Sequence, residues 1–262
     1  MTRKTNQTFL YSHLMRWEPL AIKGSQGNAW IKTLAKDPAT GARTMLVRFD
    51  PGYTQKKALS EWPADIYVLE GGMRCGDRAY EQGTYHYRPG GTSFGPIETA
   101  TGITRLIFTA DSKTKSSKKE SFIQNTNKMP WAPSYSDPDV RKKGVKVLRE
   151  DSAEPVSILI HGHFIPGRDL PGEKHFHDHH EEAYTLAGET EDYLADVDGH
   201  MFWVPGTYIC RNIGASAHGD AMKTSVPNMQ IIRRNWVGDT VNFHKSKSNI
   251  RSKIPVVVEL AE

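Results

Sequence analysis

Lys174-His175-Phe176-His177-Asp178-His179-His180-Glu181-Glu182-Ala183-Tyr184 gathers four of the chain's eleven histidines into six residues. Successive side chains of an extended strand point to opposite faces, so His175, His177 and Glu181, which share one parity, would project together and converge on one cation. Imidazoles and a carboxylate are donors that a first-row divalent metal accepts. His179 has the same parity; in a turn between strands it is expected beside the ligands or at the surface. His180 and Glu182 have the other parity and are expected outside. A solvated histidine-rich loop would have no reason to keep this spacing.

Moving outward from that stretch, the chain repeats itself. Met15-Arg16-Trp17-Glu18-Pro19 returns as Met129-Pro130-Trp131-Ala132-Pro133, and Lys32-Thr33-Leu34 as Lys146-Val147-Leu148. Tyr67-Val68-Leu69-Glu70-Gly71 is answered by Tyr184-Thr185-Leu186-Ala187-Gly188, and Gly83-Thr84-Tyr85 with Arg88 by Gly206-Thr207-Tyr208 with Arg211. Order is preserved throughout. Between the copies, residues 111–125 are rich in Lys, Ser, Thr and Asn, which suits an exposed connection. The expected organisation is a first domain over 1–112, a linker over 113–125 and a second domain over 126–262.

Each copy reads as strands. Arg43-Thr44-Met45-Leu46-Val47-Arg48-Phe49 and Ser157-Ile158-Leu159-Ile160-His161 are short, apolar and β-branched, with Pro, Gly or Asp at their borders. Helical periodicity is scarce, so the fold class is all-β, with two similar sandwiches or barrels. The 262 residues suffice for two small cores. A net charge of +4 is slight, and the run Lys113, Lys115, Lys118 and Lys119 has no interleaved aromatics, so no nucleic-acid surface is expected. Cys75 and Cys210 lie far apart with no C-x-x-C spacing, which leaves them as buried or idle thiols. With no apolar leader after Met1 and no long apolar run, neither membrane span nor export is expected, and the cytoplasm is the expected location.

His175, His177, Glu181 and Gly188 match H-x-H-x(3)-E-x(6)-G, which resembles the first motif of the cupin superfamily. Gly206, Gly214 and His218 resemble its second motif, with one extra residue before the histidine and Asn212 where proline is usual. The resemblance extends from about residue 15 to about residue 236 and is closest to bacterial cupins related to anti-sigma-factor sensor domains and acetylacetone-dioxygenase-type enzymes. It implies two tandem cupin barrels, each a double-stranded β-helix or jelly roll. It also implies one divalent transition metal per chain, held by His175, His177, Glu181 and His218. In the first copy Ala58, Ser60, Ala64 and Phe94 stand at those four positions, so that barrel is expected to hold no metal.

Four protein ligands around an octahedral ion leave two positions for a small-molecule substrate. The resemblance implies an Fe(II) dioxygenase cleaving a small chelating compound such as a diketone, hydroxyketone or phenolic. Zn, Mn, Ni and Cu suit the same donors. A redox-neutral isomerase, lyase or hydrolase is the alternative, with His163 or His179 as catalytic base. A non-catalytic sensor of a small molecule or metal is a third reading. His161 and His163, on the strand before the cluster, could line the same cavity, serve as substitute ligands for His218, or be hydrogen-bonded core residues. Tyr184, Tyr208 and Arg211 have counterparts in Tyr67, Tyr85 and Arg88 of the metal-free copy, which favours structural roles. Bicupins commonly associate, and a homodimer is expected.

Overall fold

The computed structural model describes residues 8–111, 120–134, 138–151, 156–165, 175–176, 179–194, 199–211, 223–235, 244–245 and 257–258. The lysine run lies outside them, apart from its flanks. The described residues of Met15–Met129 form one compact unit, and those of Thr5–Leu14 with Pro130–Glu262 form the other.

The first strand, β1 (Thr8–Tyr11), belongs to the second unit. The first unit contains β2 (Glu18–Pro19), β3 (Ala29–Lys36), β4 (Arg43–Phe49), β5 (Ala64–Cys75), β6 (Arg78–Glu81), β7 (Thr84–Arg88), β8 (Ile103–Thr109) and β9 (Phe122–Asn125). The second continues with β10 (Ala132–Pro133), β11 (Lys143–Asp151), β12 (Val156–His163), β13 (His180–Leu194), β14 (Gly199–Trp203), β15 (Thr207–Arg211) and β16 (Lys223–Asn235).

Both units use one plan. Antiparallel neighbours in the first follow β2-β3-β4-β8-β5-β7-β9, and in the second β10-β11-β12-β16-β13-β15-β1. The last strand in each of these antiparallel runs comes from elsewhere in the chain, and in the second sheet Val257–Val258 pairs in parallel beyond β1. Residues 122–125, read from composition as part of an exposed connection, form β9 on the edge of β7, while β1 pairs with β15. Each satisfies the free backbone edge of its neighbour.

The sequence repeat has a direct physical counterpart. The Lys32 ammonium lies 4.5 Å above the Trp17 ring, and that of Lys146 lies 4.4 Å above Trp131. Tyr85 donates a 2.6 Å hydrogen bond to Asp65, and Tyr208 one of the same length to Glu182. Gly71 and Gly188 adopt φ of 74° and 78°, and a Cβ at either would strike a facing carbonyl, that of Gly102 or Pro227. Only glycine fits such a kink, where the ladder shifts register.

Inside the first unit, Val47, Phe49, Ala64, Ile66, Val68, Ile103 and Ile107 meet Tyr53, Met73, Tyr80 and Ile97 in one apolar cluster. Burial of each large side chain contributes about 1.5–3 kcal/mol before chain entropy is counted. The equivalent inner positions of the second unit retain only Leu159, Ala183 and Ile232 as an apolar cluster among the described residues, with Phe9, Met201, Trp203 and Ile209 forming another.

Phe9, 3% exposed, anchors β1 in that last cluster. Phe9→Ala is expected to destabilise the second unit by about 3–5 kcal/mol. Hydrogen exchange should accelerate across β13 and β15 and stay unchanged across β4, β5 and β8; uniform acceleration in both units would contradict this placement.

Candidate metal centre

Glu181 sits near the start of β13, 5% exposed, on the face shared with Ala183 and Thr185. The register sets Arg211 of β15 on one side of it and Arg234 of β16 on the other. Arg234 donates from Nε to Oε2 at 3.0 Å, and Arg211 from Nη1 to Oε1 at 3.4 Å. Arg211 also lies 3.7 Å from the buried Asp192 carboxylate and over the Trp203 ring. Two guanidinium groups in a dry interior thus have two carboxylates to compensate them. His179 is 1% exposed, with Nε2 3.9 Å from Glu181 Oε2, so it lies beside the proposed ligand rather than at the surface.

The adjacent wall is β12, whose His161 and His163 pair in register with Gln230 and Asn228. Their rings are 4.6 Å apart. Burial, reinforced by the Lys143 charge, pushes His163 down to about 4. Burial lowers His161 well below the ordinary value, with His163, Lys143 and Arg234 adding to the effect and Glu181 opposing it. Both rings are therefore neutral at physiological pH and able to accept a proton or a metal. Nε2 of His161 and Nδ1 of His163 are enclosed without a hydrogen-bond partner among the described residues. Such orphaned nitrogens are uncommon and suit a ligand or ion.

His175 lies in a short strand, His175–Phe176, paired with His244–Lys245. Its side chain, together with His177 and His218, lies outside the described residues. Of the four sequence-derived ligands, only Glu181 can therefore be placed. In the first unit, Ala64 lies opposite Arg88 and Thr109, as Glu181 lies opposite Arg211 and Arg234. Val47 and Phe49 occupy the registers of His161 and His163. Phe94 pairs with Ala58 and packs on the apolar cluster. The frame is common to both units, and its lining differs.

A second donor group escaped the sequence reading. His180 and Glu182 take the opposite face from Glu181, as their parity requires, but both are buried and meet Cys210. His180 Nε2 lies 3.8 Å from Cys210 Sγ and 3.9 Å from Glu182 Oε2. Glu182 also accepts from Tyr208 and, at 3.3 Å, from Arg233. The Tyr208–Glu182 bond recurs as Tyr85–Asp65 in the other unit, so this carboxylate has an architectural role independent of metal. Only the periodicity of β13 in register with β15 could have revealed the group.

These two barrels have the cupin fold. Residues 6–113 match the family model of the ChrR cupin-like domain. A Nostoc punctiforme protein provisionally assigned as a dioxygenase is similar at 15% identity, with a TM-score of 0.75 over 92% of this chain and 88% of that one. A Pseudomonas aeruginosa protein provisionally assigned as glyoxylate-induced gives 12%, 0.68, 95% and 94% respectively. Bacillus subtilis oxalate decarboxylase, a protein with Mn(II) centres, gives 12%, 0.59, 91% and 80%. At these identities the likeness establishes the fold. No curated protein matches the chain by sequence. Among the described residues no helix is long and apolar enough to cross a membrane.

The neutral, buried His163 has a pH consequence. Its folded pKa lies below the unfolded value, so unfolded protein binds the proton first as pH falls. Stability is then lost between about pH 6.5 and about pH 4, by at most about 3 kcal/mol from this group. Denaturant titrations of metal-free protein across that range should show the loss, and His163→Gln should reduce it, leaving the part due to His161. An unchanged slope would contradict the burial argument.

Proposed function

We propose that the chain is a metal-dependent enzyme whose site is the interior of the second barrel, with His175, His177, Glu181 and His218 holding one divalent transition metal, Fe(II) in the favoured case. The observation that carries this reading is the contrast between two interiors on one frame. Where the first barrel has Val47, Phe49 and Ala64, the second has His161, His163 and Glu181. A structural core has no use for unpartnered imidazole nitrogens, which cost roughly 1–3 kcal/mol each if left unsatisfied.

A bound ion would supply Lewis acidity and, for iron, redox chemistry. Arg211 and Arg234 hold the Glu181 carboxylate from two sides and keep it oriented. His161, His163 and His179 line its surroundings, and in a redox-neutral reaction His163 or His179 would be the base. The favoured activity is dioxygenase cleavage of a small chelating compound, a diketone, hydroxyketone or phenolic. The cupin fold and the provisional assignment of the Nostoc relative support that choice. A homodimeric, cytoplasmic enzyme is the proposed setting.

Elemental analysis of tag-free protein, alongside Glu181→Gln and His177→Ala, tests the centre. About one iron per chain is expected, falling at least about tenfold in both variants, with oxygen uptake on such substrates by the wild type alone. Stoichiometric zinc, manganese or nickel without oxygen uptake would indicate a redox-neutral isomerase, lyase or hydrolase. Wild-type protein free of metal after purification and after reconstitution would overturn the centre itself.

A further inference from the structure

The first barrel contains an imbalance that the second does not. Arg88 of β7 occupies the position of Arg211, opposite Ala64 instead of Glu181. The other acid beside Arg211 is Asp192, and the repeat that aligns Gly71 with Gly188 puts Cys75 there. Both carboxylates have gone while the arginine remains. A second arginine has also been added: Arg105 of β8 stands opposite Val68, where Gln230 stands opposite Thr185.

Arg105 is 6% exposed, with its guanidinium over the Phe49 ring at 4.2 Å. Arg88 is half-buried, with its guanidinium over Phe94 at 4.1 Å. Both point to the inner face, since Ile103 and Ile107 flank Arg105 in the apolar cluster and Arg88 is in register with Ala64 of that cluster. The Nε atoms of both are enclosed without a hydrogen-bond acceptor among the described residues. Burial lowers Arg88 to about 10; burial, with the Arg88 charge adding, does the same to Arg105, so both remain cationic at neutral pH. Aromatic faces offset part of the cost of burying such charges, but enclosed guanidinium nitrogens without an acceptor remain unfavourable.

We propose that the interior of the first barrel is a metal-free binding site for a small carboxylate, held by Arg88 and Arg105 beside Ala64, which takes the register position of Glu181. A carboxylate matches the planar donor fork of guanidinium and replaces the group lost at Ala64. This site is independent of the metal centre and takes its own ligand.

The test uses acetate on the full-length chain in buffer without other small anions. Equilibrium dialysis of labelled acetate should show saturable binding by the wild type, and Tm should rise by about 5–10 °C at a hundredfold excess over the half-saturating concentration. Arg105→Met and Arg88→Met should lose the response. Ala64→Glu supplies the carboxylate within the chain, so it should raise the acetate-free Tm and abolish acetate binding without touching the second barrel. No saturable binding by the wild type would overturn the proposal, as would a response persisting in Ala64→Glu, which would place the acetate elsewhere. Chloride matching acetate at equal ionic strength would overturn the carboxylate assignment.

Discussion

Charge compensation inside a curled, largely antiparallel sheet is the constraint on which the rest of this protein depends. The second barrel buries Arg211 and Arg234, and it can do so because Glu181 lies between them and Asp192 reaches Arg211. Loss of one partner from such a group costs about 3–5 kcal/mol, because the remaining charge stays buried. Glu181 therefore has two connected roles. It neutralises the arginines that flank it, and they hold its carboxylate in one orientation beside His179.

Duplication lets the constraint be seen twice. The two sheets share strand order, the glycine kinks at Gly71 and Gly188, and the tyrosine–carboxylate bonds of Tyr85 and Tyr208. Tyr67 and Tyr184 extend the parallel, facing Thr126 and Ser12 hydroxyls respectively. These features are common to both interiors and so belong to the frame. What separates the barrels is a short set of inward positions. In one barrel apolar side chains fill them around two arginines; in the other, imidazoles and a carboxylate do.

Much of this was legible in the chain. The repeat, the all-β character and the parity of Glu181 against His180 and Glu182 follow from local patterns, because strand alternation and glycine-dependent kinks are properties of neighbouring residues. The kinship of Trp17 with Trp131 and of Lys32 with Lys146 was visible as sequence, and its cation–π meaning appeared only in three dimensions. His180 and Glu182, read as outside, proved buried because the opposite face of β13 is also covered.

The sequence by itself determined the duplicated frame, the strand periodicity and the concentration of metal-type donors in the second half, since these depend on residue type and spacing along one strand. Only tertiary structure decided that β1 joins the second sheet beside β15 and β9 the first beside β7, that Arg211 and Arg234 clamp Glu181, and that Arg88 and Arg105 each enclose an Nε without an acceptor among the described residues. Strand pairing and charge neighbourhood join residues distant along the chain, and no local pattern specifies which distant partner arrives.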